Sequence, residues 1–314
     1  MKGMRHMLDK ISLKTYAEQQ ITFENDGFAS FPGLVDNYEC RKLVNSAQNS
    51  RQLEKIFLSE EEFNKQTFFS RTGPRPGRNL AEKLDTDFIF GSKEFSTIME
   101  NVLGLKYRIY DYKFVCGVPT SCLPNWIKDK INDRLVNNLG MYVKPEYRDV
   151  TYFHGIDFHQ DIIDYPFREA DFITAYIYLD TVTSTQAPLH VLPGSQEFGC
   201  TEFPHNLKMS KNQYGYQDGI GNTKNCDCVV LTGEAGDMSI WHSAVLHGTQ
   251  PQANDSSRMS LRILVERNGD SVEGTWLDSC NSKIIGNLSL AKTRNDIDSM
   301  GLPTKSGNMI NKKN

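Results

Sequence analysis

The chain has 314 residues, which is enough for a large buried core and for one or two domains. Its 35 lysines and arginines stand against 39 acidic residues, so the formal net charge is −4. Sequence-independent binding of nucleic acid needs clustered positive charge, and we therefore expect no nucleic-acid partner. No apolar window predicts a membrane-spanning helix, residues 1–14 lack the apolar run of a secretion signal, and the scattered cysteines do not form a disulfide framework. We expect a cytoplasmic protein without a membrane partner, present as a monomer or a small homo-oligomer.

The first part of the chain has the pattern of helices and loops with few strands. Asp36 and Gly104 stand where an N-cap and a helix-ending glycine are expected. Helices are predicted over residues 13–25, 36–50, 92–103 and 125–138, and strands over residues 28–31 and 107–118. The helix over 125–138 is interpreted either as a lid over the site or as a covering helix.

The second part has the pattern of short strands separated by turns such as Pro193-Gly194. Strands are predicted over residues 151–153, 171–179, 189–192, 228–231, 237–241, 245–247 and 259–266. Such a series is typical of a sandwich or jelly roll. We predict one domain over residues 1–287, with a helix-rich part over 1–140, a β core over about 105–267 and a polar tail over 288–314.

Two histidines and an aspartate form a candidate metal site. His159 and Asp161 are two residues apart, and in an extended segment such side chains point the same way. His247 offers a third ligand from a distant predicted strand. Two neutral imidazoles and one carboxylate leave other coordination positions open, which is the ligand set of non-haem Fe(II) oxygenases.

Other histidines compete with this assignment. His154 and Asp157 form a second pair just upstream, but their spacing suits a helix better than a strand. His242 precedes His247 by five residues and is expected on the opposite face of an alternating strand.

The residues after His247 point to a dicarboxylate cosubstrate. Arg258 and Ser260 share one face of the last predicted strand, and an arginine fork with a hydroxyl suits a distal carboxylate. Arg262 lies on the same face, so periodicity does not separate the two arginines. Tyr176 is a candidate cosubstrate contact on a core strand. Gln160 is a further candidate, although alternation points it away from the metal.

Taken in order, several motifs resemble the phytanoyl-CoA dioxygenase (PhyH) family of Fe(II)- and 2-oxoglutarate-dependent oxygenases. They are His159-Gln160-Asp161, the segment from Pro188 to Ser195, Gly236-Asp237, His247-Gly248 and Arg258. The resemblance implies a mainly β protein with flanking helices, folded as a double-stranded β-helix, a cupin-like jelly roll. It also implies His159, Asp161 and His247 as Fe(II) ligands and Arg258 as the contact for the cosubstrate 2-oxoglutarate. One departure is Gln196, which follows Ser195 where the family usually has histidine.

Four residues are candidates for contacts with the substrate. Three arginines, Arg71, Arg75 and Arg78, lie in a loop rich in proline and glycine, and His190 precedes the Pro193-Gly194 turn. We take these four residues as substrate candidates. By the family resemblance we expect O₂-dependent hydroxylation, or desaturation or cyclisation, at an unactivated C–H bond of a small polar, amino-acid-like or carboxylate metabolite, with succinate and CO₂ as coproducts. An acyl-thioester substrate is the alternative within the family. A β-helix protein that binds a small ligand without turnover is the alternative outside it.

Overall fold

The computed structural model of the chain describes residues 16–48, 51–66, 74, 77–165, 169–203, 205–210, 213–253, 255–269 and 274–288. The described strands are β1 (Phe28–Phe31), β2 (Tyr107–Gly117), β3 (Thr151–Phe153), β4 (Ile156–His159), β5 (Phe172–Tyr178), β6 (Leu189–Val191), β7 (Asn206–Ser210), β8 (Gln213–Gln217), β9 (Thr223–Asp227), β10 (Val229–Leu231), β11 (Met238–His242), β12 (His247–Thr249) and β13 (Arg258–Arg267). The described helices are α1 (residues 16–26), α2 (Asn37–Gln48), α3 (Glu60–Asn64), α4 (Asp87–Phe90), α5 (Lys93–Leu103), α6 (Asn125–Ile131) and α7 (Trp276–Asn281). No helix among these residues is long and apolar enough to cross a bilayer.

Two sheets make up the body of the fold. The larger has the order β1-β11-β5-β13-β2-β3, and the smaller has the order β10-β6-β12-β4. Neighbouring strands are antiparallel except for β2 and β3. Apolar side chains from both sheets, among them Val115 and Val191, pack in one cluster between them. This arrangement confirms the predicted double-stranded β-helix.

The helices cover the outer face of the larger sheet. Phe114, Leu261 and Ile263 alternate with inward-facing residues and pack in the largest apolar cluster together with Phe95 and Ile98 of α5. That core leaves the inner face of β2, β5 and β13 free for polar side chains.

A third sheet, β7-β8-β9, covers the outer side of the smaller sheet. Phe158 and Leu246, which alternate with the candidate metal ligands, pack against Tyr214 and Tyr216 of this sheet. The ring centroids of Phe158 and Tyr214 are 5.0 Å apart. The small sheet therefore supports the strands that carry the histidines.

Helix α6 is shorter than predicted. It ends at Ile131 because Asn132 and Asp133 adopt positive φ angles of 47° and 57°. Ile127 and Ile131 are buried in the core on the helix side of the larger sheet. The segment is thus a covering helix and not a lid.

The N-terminal part also contributes to the β core. Strand β1 pairs with β11 along the edge of the larger sheet, so the core begins earlier in the chain than residue 105. The predicted tail from residue 289 onward lies outside the described residues.

Candidate active site

The two histidines meet because their strands are neighbours. His159 ends β4, His247 begins β12, and the two residues are paired directly across the antiparallel ladder. Their ring centroids are 4.3 Å apart. Asp161 follows Gln160, whose backbone is extended, and opens a 3₁₀ turn over Asp161–Asp164. One ligand atom from each of the three side chains lies within 4.8 Å of the others.

Both imidazoles are oriented by backbone carbonyls. The Nδ1 atom of His159 lies 2.9 Å from the carbonyl oxygen of Asp157, and that of His247 lies 3.0 Å from that of Val245. These bonds leave each Nε2 directed at Asp161, at 3.8 Å and 3.6 Å from its carboxylate oxygens. Burial lowers the pKa of His247 to about 4, so this imidazole is neutral at pH 7, as a metal ligand must be.

The turn before His247 is tied to the Pro193-Gly194 turn. The backbone amide of Leu246 donates to the Ser195 hydroxyl at 2.8 Å, and this hydroxyl donates to the carbonyl of Leu192 at 2.7 Å. Gly194 adopts φ 73°, a left-handed conformation that favours glycine. The Pro-Gly-Ser motif therefore positions the residue before His247.

The Asp161 carboxylate accepts three hydrogen bonds from side chains. Its Oδ2 accepts from the Thr174 hydroxyl at 2.6 Å and from the Trp241 indole at 2.8 Å, and its Oδ1 accepts from Arg262 at 2.8 Å. Burial by itself would raise the pKa of Asp161, but the Arg262 guanidinium and the two histidines hold it well below its usual range. The carboxylate is thus ionised and fixed in orientation. Hydrogen-bond partners of metal ligands generally have this effect.

Sequence reasoning missed Thr174 and Trp241 and considered Arg262 only as a cosubstrate contact. Thr174 and Trp241 are paired across β5 and β11, and Thr174 is also paired with Leu264 of β13. Which side chains surround Asp161 depends on this strand order, which has no local signal in the sequence.

Arg258 forms a second polar centre on β13. Its side chain is fully buried, and its guanidinium donates to the Tyr176 hydroxyl, the Ser260 hydroxyl and the Ala187 carbonyl at 2.6, 2.6 and 2.7 Å. Phe153, Tyr176 and Tyr178 surround it, with ring centroids 5.1–5.6 Å from the guanidinium carbon. The Nε atom has no partner, and among the described residues no carboxylate lies within ion-pair distance of this charge.

Gln160 does not contact either centre. Its amide nitrogen donates to the carbonyls of Gly199 and Ala244, and its oxygen accepts from the backbone of Thr201. The placement contradicts the expectation that Gln160 contacts the cosubstrate. The physical reason is strand alternation, which turns this side chain away from His159 and Asp161.

His190 also lies on the wrong face for the substrate contact that we expected. It is paired with Gly248, the neighbour of His247, whereas Val191 is paired with His247 itself and packs between the sheets. Because successive residues alternate, His190 points to the outer side of the smaller sheet. Its Nδ1 bonds to the carbonyl of Pro188.

The arginine loop is only partly described. Arg71 and Arg75 lie outside the described residues, and Arg78 is exposed. No hydrogen bond or ion pair in the described part of the chain joins Arg78 to the three candidate metal ligands. The substrate roles predicted for this loop remain predictions.

The competing histidines have other partners. His154 Nδ1 bonds to the carbonyl of Val118, and His242 bonds to Asn281 through Nε2 and to the amide of Ala244 through Nδ1. Within the described residues, His159, Asp161 and His247 form the cluster able to hold a metal ion.

Comparison with known proteins gives a family and two curated relatives. The family described as Phytanoyl-CoA dioxygenase (PhyH) matches residues 23–260. A curated relative from Caenorhabditis elegans, named "Probable phytanoyl-CoA dioxygenase", is 23% identical over 304 residues, which cover 90% of this chain and 86% of that protein. A "Probable alpha-ketoglutarate-dependent hypophosphite dioxygenase" from Stutzerimonas stutzeri is 28% identical over 116 residues, 34% of this chain and 38% of that protein.

Solved structures share the fold. The epimerase SnoN of nogalamycin biosynthesis, in a complex with Fe³⁺, alpha ketoglutarate and nogalamycin RO, has a TM-score of 0.50 at 12% identity over 89% of this chain and 96% of its own. The non-haem monooxygenase ThoJ has a TM-score of 0.50 at 14% identity, over 79% of this chain and 77% of its own. Since the family match spans most of the sequence and contains all three candidate metal ligands, the chain belongs to the phytanoyl-CoA dioxygenase (PhyH) family of Fe(II)- and 2-oxoglutarate-dependent oxygenases.

Proposed function

We propose that this oxygenase oxidises an unactivated C–H bond of a small polar, amino-acid-like or carboxylate metabolite, with succinate and CO₂ as coproducts. The observation that supports it is the presence of a three-ligand cluster and a buried, uncompensated guanidinium on the inner face of one β-helix.

The donor set fits Fe(II). His159 and His247 would bind through Nε2 and Asp161 through a carboxylate oxygen, which leaves positions for the cosubstrate and O₂. The carboxylate neutralises one charge of the ion, and its three hydrogen-bond donors keep it from rotating.

The Arg258 centre fits the distal carboxylate of 2-oxoglutarate. A buried charge without a counter-ion is costly, and an entering carboxylate would offset that cost while accepting hydrogen bonds from the guanidinium and two hydroxyls. Tyr176 and Ser260 hold the guanidinium in place, and the surrounding aromatic rings keep water away from it.

Hydroxylation consumes substrate, 2-oxoglutarate and O₂ and yields hydroxylated substrate, succinate and CO₂. Desaturation or cyclisation would remove two hydrogen atoms from the substrate and yield water in place of the hydroxyl group. Iron and 2-oxoglutarate, when bound, supply the oxidising chemistry. The residues of the chain bury His247 as a neutral imidazole, orient both imidazoles through their Nδ1 atoms, fix the Asp161 carboxylate and bind the cosubstrate, so their contribution is geometric and electrostatic.

A substrate screen tests the proposal. The protein is incubated with Fe(II), ascorbate, 2-oxoglutarate and pools of amino acids, carboxylates and acyl-thioesters, and succinate is measured. We expect succinate release that depends on one pool, with a product that is heavier by one oxygen atom or, for desaturation or cyclisation, lighter by two hydrogen atoms. His247→Ala should abolish the signal, and the matched control His190→Gln should retain it. Turnover that continues without 2-oxoglutarate would contradict the proposal, and a response confined to thioesters would identify an acyl-thioester hydroxylase.

A further inference from the structure

A second pair of cations lies on the inner face of the larger sheet. Lys113 of β2 and Arg262 of β13 are direct partners in the antiparallel ladder. Lys113 shares the inner face with Val115, and Arg262 shares it with Ser260 and Arg258. Arg262 donates to Asp161, so the pair adjoins the candidate metal ligands.

The two cations differ in whether a close anion neutralises their charge. Arg262 is paired with Asp161 at 2.8 Å. Lys113 is half-buried, and no hydrogen bond or ion pair of its ammonium is found within the described residues. Burial and the charge of Arg262 lower the pKa of Lys113, while the more distant Asp111, Asp164 and Asp161 raise it in part. The surroundings of this ammonium therefore lack a close anion.

The pair is separate from the Arg258 centre. Arg262 follows Arg258 by four residues on one strand, a separation of about 13 Å between backbone positions. Arg258 is fully buried, whereas the Arg262 side chain is 17% exposed. Arg262 is thus the more exposed of the two arginines and contacts Asp161, whereas the Arg258 centre, which suits the cosubstrate, lies further along the strand.

Aromatic rings lie near this pair. The pairing of β2 with β13 shifts between Asp111 and Ile109, and Tyr110 is the extra residue of this irregularity. The ring of Tyr110 lies 6.0 Å from that of Tyr165, which lies 5.2 Å from that of Phe172. Irregular pairing of this kind commonly redirects side chains next to active sites.

We infer that Lys113 and Arg262 bind a carboxylate group of the substrate, with Tyr110, Tyr165 and Phe172 beside its apolar part. The inference rests on the proposed function, because it assigns the metal centre and the Arg258 centre to other ligands. An entering carboxylate supplies the close anion that Lys113 lacks, and its hydrogen bonds with two cations are of the charge-assisted kind.

Binding of fluorinated probes tests the inference without turnover. The full chain, loaded with Zn(II) and 2-oxoglutarate, is titrated with 3,3,3-trifluoropropionate and 4-fluorophenylacetate, with their primary amides and with 4-fluorophenyl phosphate, and ¹⁹F NMR reports binding. We expect at least one carboxylate to bind and its amide to bind roughly tenfold or more weakly, because a charged hydrogen bond is lost. Preference for the phosphate over both carboxylates would overturn the assignment to a carboxylate.

Variants separate this pair from the cosubstrate centre. Lys113→Gln should weaken binding of the carboxylate probe about tenfold or more, and Lys113→Arg should retain that binding. Both variants should bind Zn(II) as the wild type does. Arg258→Gln without 2-oxoglutarate should still bind the carboxylate probe. Equal binding of acid and amide, no carboxylate binding to the wild type, or loss of the probe in Arg258→Gln would each overturn the inference. Failure of the proposed function would appear instead as absent binding of Zn(II) or of 2-oxoglutarate. The probe titration is repeated on the metal-free chain, so that carboxylate binding by Lys113 and Arg262 is measured independently of the metal.

Discussion

At the scale of single residues, the two cluster histidines should be the strongest determinants of metal affinity. Their Nδ1 atoms form hydrogen bonds with backbone carbonyls, and their Nε2 atoms face Asp161. Each histidine therefore contributes one oriented nitrogen to the cluster. His159→Ala and His247→Ala should each weaken Zn(II) binding by more than roughly 100-fold, since loss of an outer partner alone costs 10- to 100-fold. Anaerobic calorimetry measures this affinity.

His190→Gln is the matched control for the two histidine variants. It removes a buried imidazole from the same sheet but from its opposite face, and it should leave Zn(II) affinity within a few-fold of the wild type. An unchanged affinity in either alanine variant would remove that histidine from the metal site.

The two arginines of β13 should have separable effects. Arg258→Gln should weaken 2-oxoglutarate binding by about 30- to several-thousand-fold, because truncating one partner of a buried charge pair costs about 2–5 kcal/mol. Arg262→Gln removes a hydrogen-bond donor to Asp161 and should mainly lower the affinity for the metal, by about 10- to 100-fold. Titration of each ligand into both variants measures the difference. A large cosubstrate effect in Arg262→Gln with none in Arg258→Gln would mean that the roles are reversed.

At the scale of elements, the junction between α1 and β1 supports the turn that carries His247. Gly27 has φ 76°, and its carbonyl accepts from the backbone of His242 at 2.8 Å. A Cβ atom here would overlap the side chains of Val245 and Gln196. Val245 also provides the carbonyl that orients His247, so this junction connects the N-terminal segment to the metal site.

Gly27→Ala should therefore reduce both stability and metal affinity. Left-handed backbone alone costs about 1–2 kcal/mol, and the overlap adds about 1–3 kcal/mol of the free energy of unfolding. Gly33→Ala is the control, because Gly33 has φ 62° but open space around it, and it should show only the smaller loss and normal Zn(II) binding. Denaturant unfolding and Zn(II) titration measure the two effects. Equal stability losses in both variants would contradict the predicted overlap.

At the scale of the whole molecule, ligands should stabilise the fold because they bind the native state and not the unfolded chain. A ligand at 100 times its Kd adds about 2.7 kcal/mol. For a chain of this size we expect Zn(II) with 2-oxoglutarate to raise the Tm by roughly 5 °C, and EDTA to reverse the rise. Differential scanning calorimetry measures the shift. His247→Ala should show no rise with Zn(II), and an equal rise in this variant would contradict binding at the cluster.

The long, regular strands of the β core were predictable, and the segments around them were less so. The strands predicted over 107–118 and 259–266 correspond to β2 and β13, because each combines β-forming residues with alternation over many positions. Strand β4 was not predicted, although it ends at His159, since four residues between Gly155 and Gln160 carry too short a pattern. The helix predicted over 125–138 ends at Ile131, because left-handed Asn132 and Asp133 stop it and apolar spacing does not reveal backbone conformation.

The sequence by itself determined the types and order of the candidate ligands and the alternating pattern of the β core, because these depend on local composition and spacing. Only the tertiary structure decided which of the two arginines contacts Asp161. Arg258 and Arg262 share one strand face, yet Arg262 bonds to Asp161 and Arg258 to Tyr176 and Ser260. Periodicity describes the face of one strand, whereas the partner across the barrel depends on strand order and on the turn after β4. For the same reason the placement of Lys113 beside Arg262 became visible only when β2 and β13 were seen as neighbours.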